Sequence, residues 1–357
     1  MKHLLIVGPF PPLFSYGGPT KSIKSLYNIF TSSDINFSVL SPNSHLNGVK
    51  LFHKNNLNNV MFKKHQSFFL ISKFYKYDTI WLNSFFDKKL LLLITIRLFY
   101  KFNLIVSTRG QLSSEAIATS NPTLKKIFIN IIQFFKYNII FHTTSNAETE
   151  SVKKLFNKIK HKQISNVFDL NYIPNSITER KFVFYSRIHK KKGLDILLKT
   201  INKYNLSIEL DIYGFIEDED YWEICKKYID EQSKVNYMGV IEDGDITRLK
   251  NKYSFFILPT FNENYGHVII ELLSIGCIPI ISKNSNPFDA DISSIFNLNF
   301  EISDNAKLKD MINTANNLNL EELSKLKSRV GPYFEKLNKT QENIKKEYVS
   351  FVTSLLK

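Results

Sequence analysis

Two carboxylates, Glu263 and Glu271, stand eight residues apart in the stretch PTFNENYGHVIIELLSIGCIPIIS, residues 259–282. An apolar strand is expected before them, Phe255–Leu258, and another after them, Ile278–Ile281, with a helix between. In such a βαβ unit, ligands bind outside the carboxyl ends of the strands, where helix N-termini point. Glu263 falls at that position, and Glu271 one to two turns along the helix. Were all eight residues helical, the carboxylates would lie roughly 12 Å apart along the axis. A retaining glycosidase pair needs about 5 Å. The longer spacing suits two contacts at opposite ends of an elongated ligand such as a sugar nucleotide.

Three further segments carry candidate chemistry. Ser186-Arg187-Ile188-His189-Lys190-Lys191-Lys192-Gly193 follows the expected strand Lys181–Tyr185 and opens a helix. A basic loop between a strand and a helix N-terminus is an anion site, because amides and cations converge there. A guanidinium fork and a nearby ammonium suit a diphosphate, whereas a solvated turn is the bland reading of the lysines. Tyr16-Gly17-Gly18-Pro19-Thr20 follows the first strand, and two glycines before a helix let a ligand approach the backbone. This is not the dinucleotide fingerprint, so NAD is not implied. Arg109, in Ser107-Thr108-Arg109-Gly110, sits at another strand end, as an anchor or a ligand contact. In His142-Thr143-Thr144-Ser145-Asn146-Ala147-Glu148 a strand runs into a helix, with Ser145 or Asn146 as its N-cap. His142 reads as a core histidine. The histidines have no metal-ligand spacing, and neither a nucleophilic triad nor a P-loop is present, so no metal is expected.

Alternating strands and helices must position these residues, which implies α/β architecture with parallel sheets. In the first half strands are expected at Leu4–Val7, Ile35–Ser41, Thr79–Leu82, Leu104–Thr108 and Ile139–Thr143. Helices are expected at Thr20–Phe30, Lys88–Phe102, Pro122–Tyr137 and Asn146–Phe156. The second half adds helices Leu194–Asn202, Asp220–Gln232 and Asp243–Asn251 and strands Ile208–Tyr213 and Val235–Met238. Residues 304–357 read as helical, broken at Gly331-Pro332.

A chain of 357 residues accommodates two domains, and 43% hydrophobic with 14% aromatic residues excludes disorder. Cys225 and Cys277 form neither a disulfide framework nor a metal cluster, so a reducing cytoplasm is the default. The N-terminal apolar run is too short for a signal peptide, and the longest, Leu90–Ile96, is too short to span a membrane. Charge divides unevenly. Residues 1–178 hold 22 Lys and Arg against 7 Asp and Glu, and residues 179–357 hold 25 against 26. A basic first half implies an anionic surface or acceptor, with peripheral contact to an anionic membrane. No nucleic-acid motif accompanies it.

Together these residues resemble the GT-B fold retaining glycosyltransferases of family 4 type, over nearly the whole chain. The E-x7-E motif of that family appears as Glu263 to Glu271, followed by Ser274-Ile275-Gly276-Cys277-Ile278-Pro279-Ile280. The resemblance implies two facing Rossmann-like doubly wound domains with an interdomain cleft and a C-terminal crossover helix. The first would be an acceptor-binding domain over 1–174, the second a nucleotide-sugar-binding domain over 175–335. The helix 336–357 would return to the first. Linker Ile173-Pro174-Asn175-Ser176 matches the family's Ile-Pro-Asn-Gly apart from Ser176. By the resemblance Glu263 contacts the donor sugar, Asn264, Tyr265, Gly266 and His267 lie along the sugar and its phosphate, and Glu271 holds the ribose. Arg187 and Lys192 would neutralise the departing diphosphate, Gly214 and Met238 line the base pocket, and Gly17 with Gly18 form the glycine-rich loop. Arg109 stands where many members carry a histidine.

The expected activity is transfer of a hexose-like sugar from a nucleoside diphosphate to an acceptor hydroxyl, with retention and without a cofactor. A lipid-linked glycan acceptor in surface-polysaccharide assembly, at the cytoplasmic membrane face, would suit the basic first domain. The rivals are a nucleotide-sugar epimerase on the same fold, a sugar phosphorylase, whose cofactor lysine is not evident, and a non-catalytic basic protein binding glycan or nucleic acid.

Overall fold

The computed structural model describes residues 3–10, 18–43, 48–53, 56–62, 74–118, 121–230, 234–241, 245–261, 263, 265–283 and 289–356. Two compact units divide the chain. Unit 1 comprises 1–168 with 341–357, and unit 2 comprises 169–340. The second division lies within one continuous helix.

Unit 1 is built on strands β1 (Leu4–Val7), β2 (Phe37–Asn43), β3 (Gly48–His53), β4 (Asn56–Phe62), β5 (Thr79–Leu82), β6 (Asn103–Ser107), β7 (Ile140–Thr143) and β8 (Lys160–Gln163). They form one sheet in the order β4-β3-β2-β1-β5-β6-β7-β8. Pairing is parallel except for β2–β3 and β3–β4, which are antiparallel. Helices α1 (Gly18–Thr31), α2 (Lys89–Phe99), α3 (Ser114–Ala118), α4 (Pro122–Phe135) and α5 (Asn146–Leu155) connect the strands.

The central strands are buried along almost their whole length, and mostly apolar, because both faces are covered. Leu5, Val7, Ile80, Leu82, Leu104 and Val106 enter one core with Leu90 and Leu93 of α2, Ile132 of α4 and Val152 of α5. Their strand neighbours Leu4, Ile6, Trp81 and Ile105 enter the opposite core with Ile23 and Leu26 of α1. Tyr348 and Val352 of the C-terminal helix close that second core.

Unit 2 carries a six-stranded, wholly parallel sheet: β9 (Lys181–Tyr185), β10 (Glu209–Tyr213), β11 (Val235–Tyr237), β12 (Phe255–Leu258), β13 (Ile278–Ser282) and β14 (Asn299–Phe300). Its order is β11-β10-β9-β12-β13-β14. The helices are α6 (Leu194–Lys203), α7 (Glu219–Asp230), α8 (His267–Ser274), α9 (Asp289–Phe296), α10 (Asn305–Asn317) and α11 (Leu320–Leu355). The expected linker is anchored in this unit: Ile173 N donates to Ser274 O at 2.6 Å and Asn175 Nδ2 to Tyr253 O at 2.7 Å.

Several expectations are corrected. The β3–β4 ribbon and edge strands β8 and β14 were not anticipated, since short strands such as Lys-His-Lys-Gln lack apolar alternation. A 3-10 turn at Ile246–Leu249, capped by Asp245 at 3.0 Å from Thr247 N, replaces the end of the helix expected over Asp243–Asn251, and 242–244 lie outside the described residues. Gly331-Pro332 does not break the C-terminal helix. A proline inside a helix costs about 3 kcal/mol, which is outweighed here by burial of its neighbours Val330, Tyr333 and Phe334. The break falls instead at Leu318-Asn319. There Asn319 Oδ1 accepts from Glu322 N and Glu322 Oε2 accepts from Asn319 N, each at 2.9 Å, a reciprocal capping box. The axial estimate for the two carboxylates also lapses, because Glu263 lies in the loop before α8 and only Glu271 is helical.

Candidate functional site

In unit 2 the chain runs β9, β10, β11 toward one edge of the sheet, then returns to β12, β13 and β14 on the other side of β9. Strand order therefore reverses between β9 and β12, the position at which loops diverge and leave a ligand crevice in open α/β sheets. Lys192 stands after β9 and Glu263 after β12. The two flank the reversal.

Lys192 closes a 3-10 turn, Lys190–Lys192, whose start is capped by His189 Nδ1 accepting from Lys191 N at 3.1 Å. Gly193 follows at φ 69°, and a Cβ there would lie 2.0 Å from Pro259 O. Only glycine lets the β9 and β12 loops approach so closely. Phe261 N and Thr260 Oγ1 both donate to Lys191 O, at 3.0 and 3.1 Å, and Ser282 Oγ to Thr260 O at 2.5 Å. Lys192 Nζ donates to Glu263 Oε1 within this frame, with side chains 10% and 13% exposed. For a nearly buried ammonium and carboxylate, mutual attraction offsets part of the cost of leaving water, and removing either would leave the other uncompensated. An anion on one side and a sugar hydroxyl on the other would find both charges already oriented.

Arg187 is held differently. Ile188 bridges to Ile216 in the loop after β10, with Ile188 N donating to Phe215 O at 2.8 Å. That pairing sets Arg187 Nη1 2.7 Å from both Glu217 oxygens, in an ion pair half open to water. Such pairs contribute at most about 1 kcal/mol, so the guanidinium is available for exchange onto a ligand anion.

Gly214 has a steric cause. A Cβ there would be 1.7 Å from Ser186 O, and Gly214 N donates to Gly239 O at 2.9 Å, stacking the loops after β9, β10 and β11. Met238 is half exposed beside them. Gly266 is the left-handed cap of α8 at φ 74°, Tyr265 is buried, and the Tyr265 and His267 rings meet edge-on at 4.8 Å. Glu271, in the second turn of α8, is buried too. Asn264 lies outside the described residues. All these positions follow the carboxyl ends of parallel strands, so one edge of the sheet collects Arg187, Lys192, Gly214, Met238 and Glu263.

Unit 1 ties Arg109, through Asn83, to Pro19 at the start of α1, the helix that Gly18 opens, while Gly17 lies outside the described residues. Arg109, at φ 50°, donates through Nε to Asn83 Oδ1 at 2.7 Å and through Nη1 to Asn166 Oδ1 at 2.5 Å. Asn83 Nδ2 donates to Pro19 O at 3.4 Å at the start of α1, and Ser22 Oγ to Asn166 Oδ1 at 3.3 Å. Burial pulls the Arg109 guanidinium below its usual range, with Tyr348 and Glu148 opposing. Asn83 follows β5 and Gly8 follows β1, the strands between which this sheet reverses.

Sequence reasoning missed Glu148 as the clamp of this turn. One of its oxygens accepts from Thr108 Oγ1 and Gly110 N, both at 2.6 Å, and the other from Thr144 N at 2.6 Å and Thr144 Oγ1 at 2.8 Å. Ser145 Oγ does cap α5, accepting from Glu148 N at 3.2 Å, but the Glu148 side chain turns away to the Arg109 turn. The capping signature was the available signal and pointed only to the helix. His142 is a core residue: Nδ1 meets Ser107 Oγ at 2.9 Å and Nε2 meets Tyr348 OH at 3.2 Å. Burial, then the Arg109 charge, push its pKa well below the ordinary value. Among the described residues no cluster of three or more His, Cys, Asp or Glu is placed to hold a metal ion.

Residues 173–328 match the sequence family described as Glycosyl transferases group 1. Unit 2 carries a glycosyltransferase domain. The whole chain matches a sucrose-phosphate synthase from Thermosynechococcus elongatus at 13% identity, covering 99% of each chain with a TM-score of 0.75. It also matches Anabaena Alr3699/HepE in complex with UDP and glucose, at 15% identity over 99% of this chain and 100% of that one, TM-score 0.70. A glycosyltransferase from Rickettsia africae matches at 14% identity over 100% and 99% of the two chains, TM-score 0.64. At such identities the likeness establishes the fold, which is the GT-B fold of glycosyltransferases. A comparison with curated protein sequences gives no match.

Proposed function

We propose that this chain is a retaining glycosyltransferase that moves a sugar from a nucleoside-diphosphate sugar to an acceptor hydroxyl. The observation that carries the reading is the Lys192–Glu263 pair at the strand-order reversal of the glycosyltransferase domain. In the reaction the bond from the anomeric carbon to the diphosphate oxygen breaks, and the acceptor oxygen bonds to the same face of that carbon. The acceptor proton passes to the departing phosphate oxygen, so no enzyme base is required. Lys192 leaves Glu263 for the phosphate and Arg187 leaves Glu217, placing two positive charges where negative charge develops. Glu263 then accepts from sugar hydroxyls and Glu271 from the ribose. Asn264, Tyr265, Gly266 and His267 serve the sugar, and Gly214 and Met238 the base. The positive charge comes from side chains, so the reading needs no metal ion.

UDP-sugars are the proposed donors, because the HepE structures hold UDP, glucose and UDP-glucose. The proposed acceptor is a lipid-linked glycan at the cytoplasmic membrane face, in the assembly of a surface polysaccharide. The excess of 22 cationic over 7 acidic residues in 1–178 supports that part.

Thermal unfolding with UDP- and GDP-sugars tests the reading. A donor at one hundred times its Kd stabilises the native state by about 2.7 kcal/mol. Lys192→Ala is expected to abolish the shift, and Glu263→Ala to abolish transfer. No shift with any nucleotide sugar removes the reading, turnover without acceptor replaces it by epimerisation, and an inverted product anomer overturns retention.

A further inference from the structure

Unit 1 carries an apolar surface that its own fold leaves in water. On α4, Leu124, Ile127, Ile131 and Phe134 follow one another at intervals of three, four and three residues, the spacing of a single helix face. Ile129 and Ile132, on the opposite side, are buried in the core. The exposed face runs roughly 15 Å along the helix. Tyr137 continues it in the turn after α4, and Leu98, Phe99 and Tyr100 extend it from the C-terminal end of α2. Arg97 Nη1 donates to Asn138 Oδ1 at 3.1 Å, which ties the end of α2 to that turn. These eight side chains are between 38% and 83% exposed. Eight large apolar side chains left exposed on these adjoining elements mark an interaction face.

The charge around this face selects the partner. Residues 88–147 contain eight Lys and Arg, of which Arg109 is held in the network described above and Lys89 pairs with Asp87, and a single acid, Glu115. Lys101 and Lys126 are exposed beside the apolar side chains. Lys136 Nζ lies 5.3 Å over the Tyr137 ring, which puts a further cation at this face. An apolar helix face bordered by cations, with tyrosine at its margin, has the make-up of a helix lying in the plane of a membrane interface. A second copy of the chain would bring the same cations against one another across a two-fold axis, which disfavours self-pairing. Among the described residues no helix is long and apolar enough to cross a membrane.

We propose that α4 and the end of α2 dock this protein flat on an anionic lipid surface, with Leu124, Ile127, Ile131, Phe134 and Phe99 entering the acyl boundary. The surface gives the lipid-linked acceptor of the proposed function a place to arrive, but docking does not depend on transfer and is read without it.

The test is cosedimentation of the full chain with phosphatidylcholine vesicles, with and without phosphatidylglycerol. Binding to the anionic vesicles and little to the neutral ones is expected. Ile127→Glu with Phe134→Glu is expected to weaken it by more than about 100-fold, since each side chain loses its apolar transfer. Lys101→Ala and Lys126→Ala each lose roughly fivefold. All four side chains are exposed, so urea midpoints should stay at the parent's value and certify folding. Binding that survives the double glutamate variant overturns the proposal. So does equal binding to both vesicles, no binding to either, or a dimer in sedimentation equilibrium that the double variant dissociates. The donor thermal shift, measured without lipid, should be unchanged in these variants. Its absence in the parent would instead count against the glycosyltransferase reading alone.

Discussion

Replacing Glu148 by alanine is expected to destabilise unit 1 by about 3 kcal/mol and to loosen the turn that carries Arg109. Four donors converge on this buried carboxylate, three of them at 2.6 Å and one at 2.8 Å, the short range of charge-assisted bonds. The hydroxyls of Thr108 and Thr144 can rotate to other acceptors. The amides of Gly110 and Thr144 cannot, and each hydrogen bond to a charged group contributes about 1.5–3 kcal/mol. Two amides therefore give about 3–6 kcal/mol, and a water entering the vacated space returns the total toward the lower end. Glu148→Gln keeps the shape and one acceptor oxygen but turns an NH2 toward the other amide, so about half the loss is expected. Trp81 is a local reporter, fully buried in unit 1 with Nε1 donating to Ser107 Oγ at 2.8 Å, one residue before Thr108. In a Trp222→Phe background, urea unfolding followed by Trp81 fluorescence reads unit 1 without assuming that both units unfold together. Hydrogen exchange at Gly110 should rise in parallel. A Glu148→Ala midpoint within about 0.5 kcal/mol of the parent, or equal losses for Ala and Gln, would refute the clamp.

Two other measurements separate packing from chemistry. Gly214→Ala should cost unit 2 about 3 kcal/mol, because its Cβ would stand 1.7 Å from a backbone oxygen and force the β9 and β10 loops apart. Gly239→Ala, at φ 79° with nothing within 4 Å of a Cβ, should cost only about 1 kcal/mol, which urea unfolding of the two variants would distinguish. His142 predicts the acid limb of the stability curve. Its folded pKa lies well below the ordinary 6.5, so below about pH 6.5 the unfolded chain binds a proton that the native state does not. Stability from this group is present above pH 6.5 and falls with acidification by up to about 1.4 kcal/mol per pH unit. His142→Gln should flatten that slope, and an unchanged slope would assign it to other groups.

The doubly wound plan was legible because parallel strands buried on both faces are predominantly apolar. Leu4–Val7, Thr79–Leu82 and Phe255–Leu258 run between the very bounds their hydrophobicity suggests. Helix ends were less legible. The helix boundary falls at the reciprocal Asn319 and Glu322 cap, while the break expected at Gly331-Pro332 is overcome by the packing of Val330 and Phe334. The strands β3 and β4 carry no comparable signal, since edge pairing depends on a neighbour more than on side-chain pattern.

By itself the sequence determined which residue types stand at the ends of which strands: Arg187 and Lys192 after β9, Glu263 after β12, and Arg109 after β6. Strand order alone decided who meets whom. Placing β9 beside β12 joins Lys192 to Glu263 across 71 positions of chain, pairing the β9 and β10 loops delivers Arg187 to Glu217, and the β6–β7 neighbourhood lets Glu148 grip the Arg109 turn. Such pairings arise from long-range closure of the sheet, which no local pattern encodes. Likewise the run of apolar residues on α4 was visible in the chain, but only the packed fold decided that Ile129 and Ile132 turn inward and leave Leu124, Ile127, Ile131 and Phe134 to the solvent.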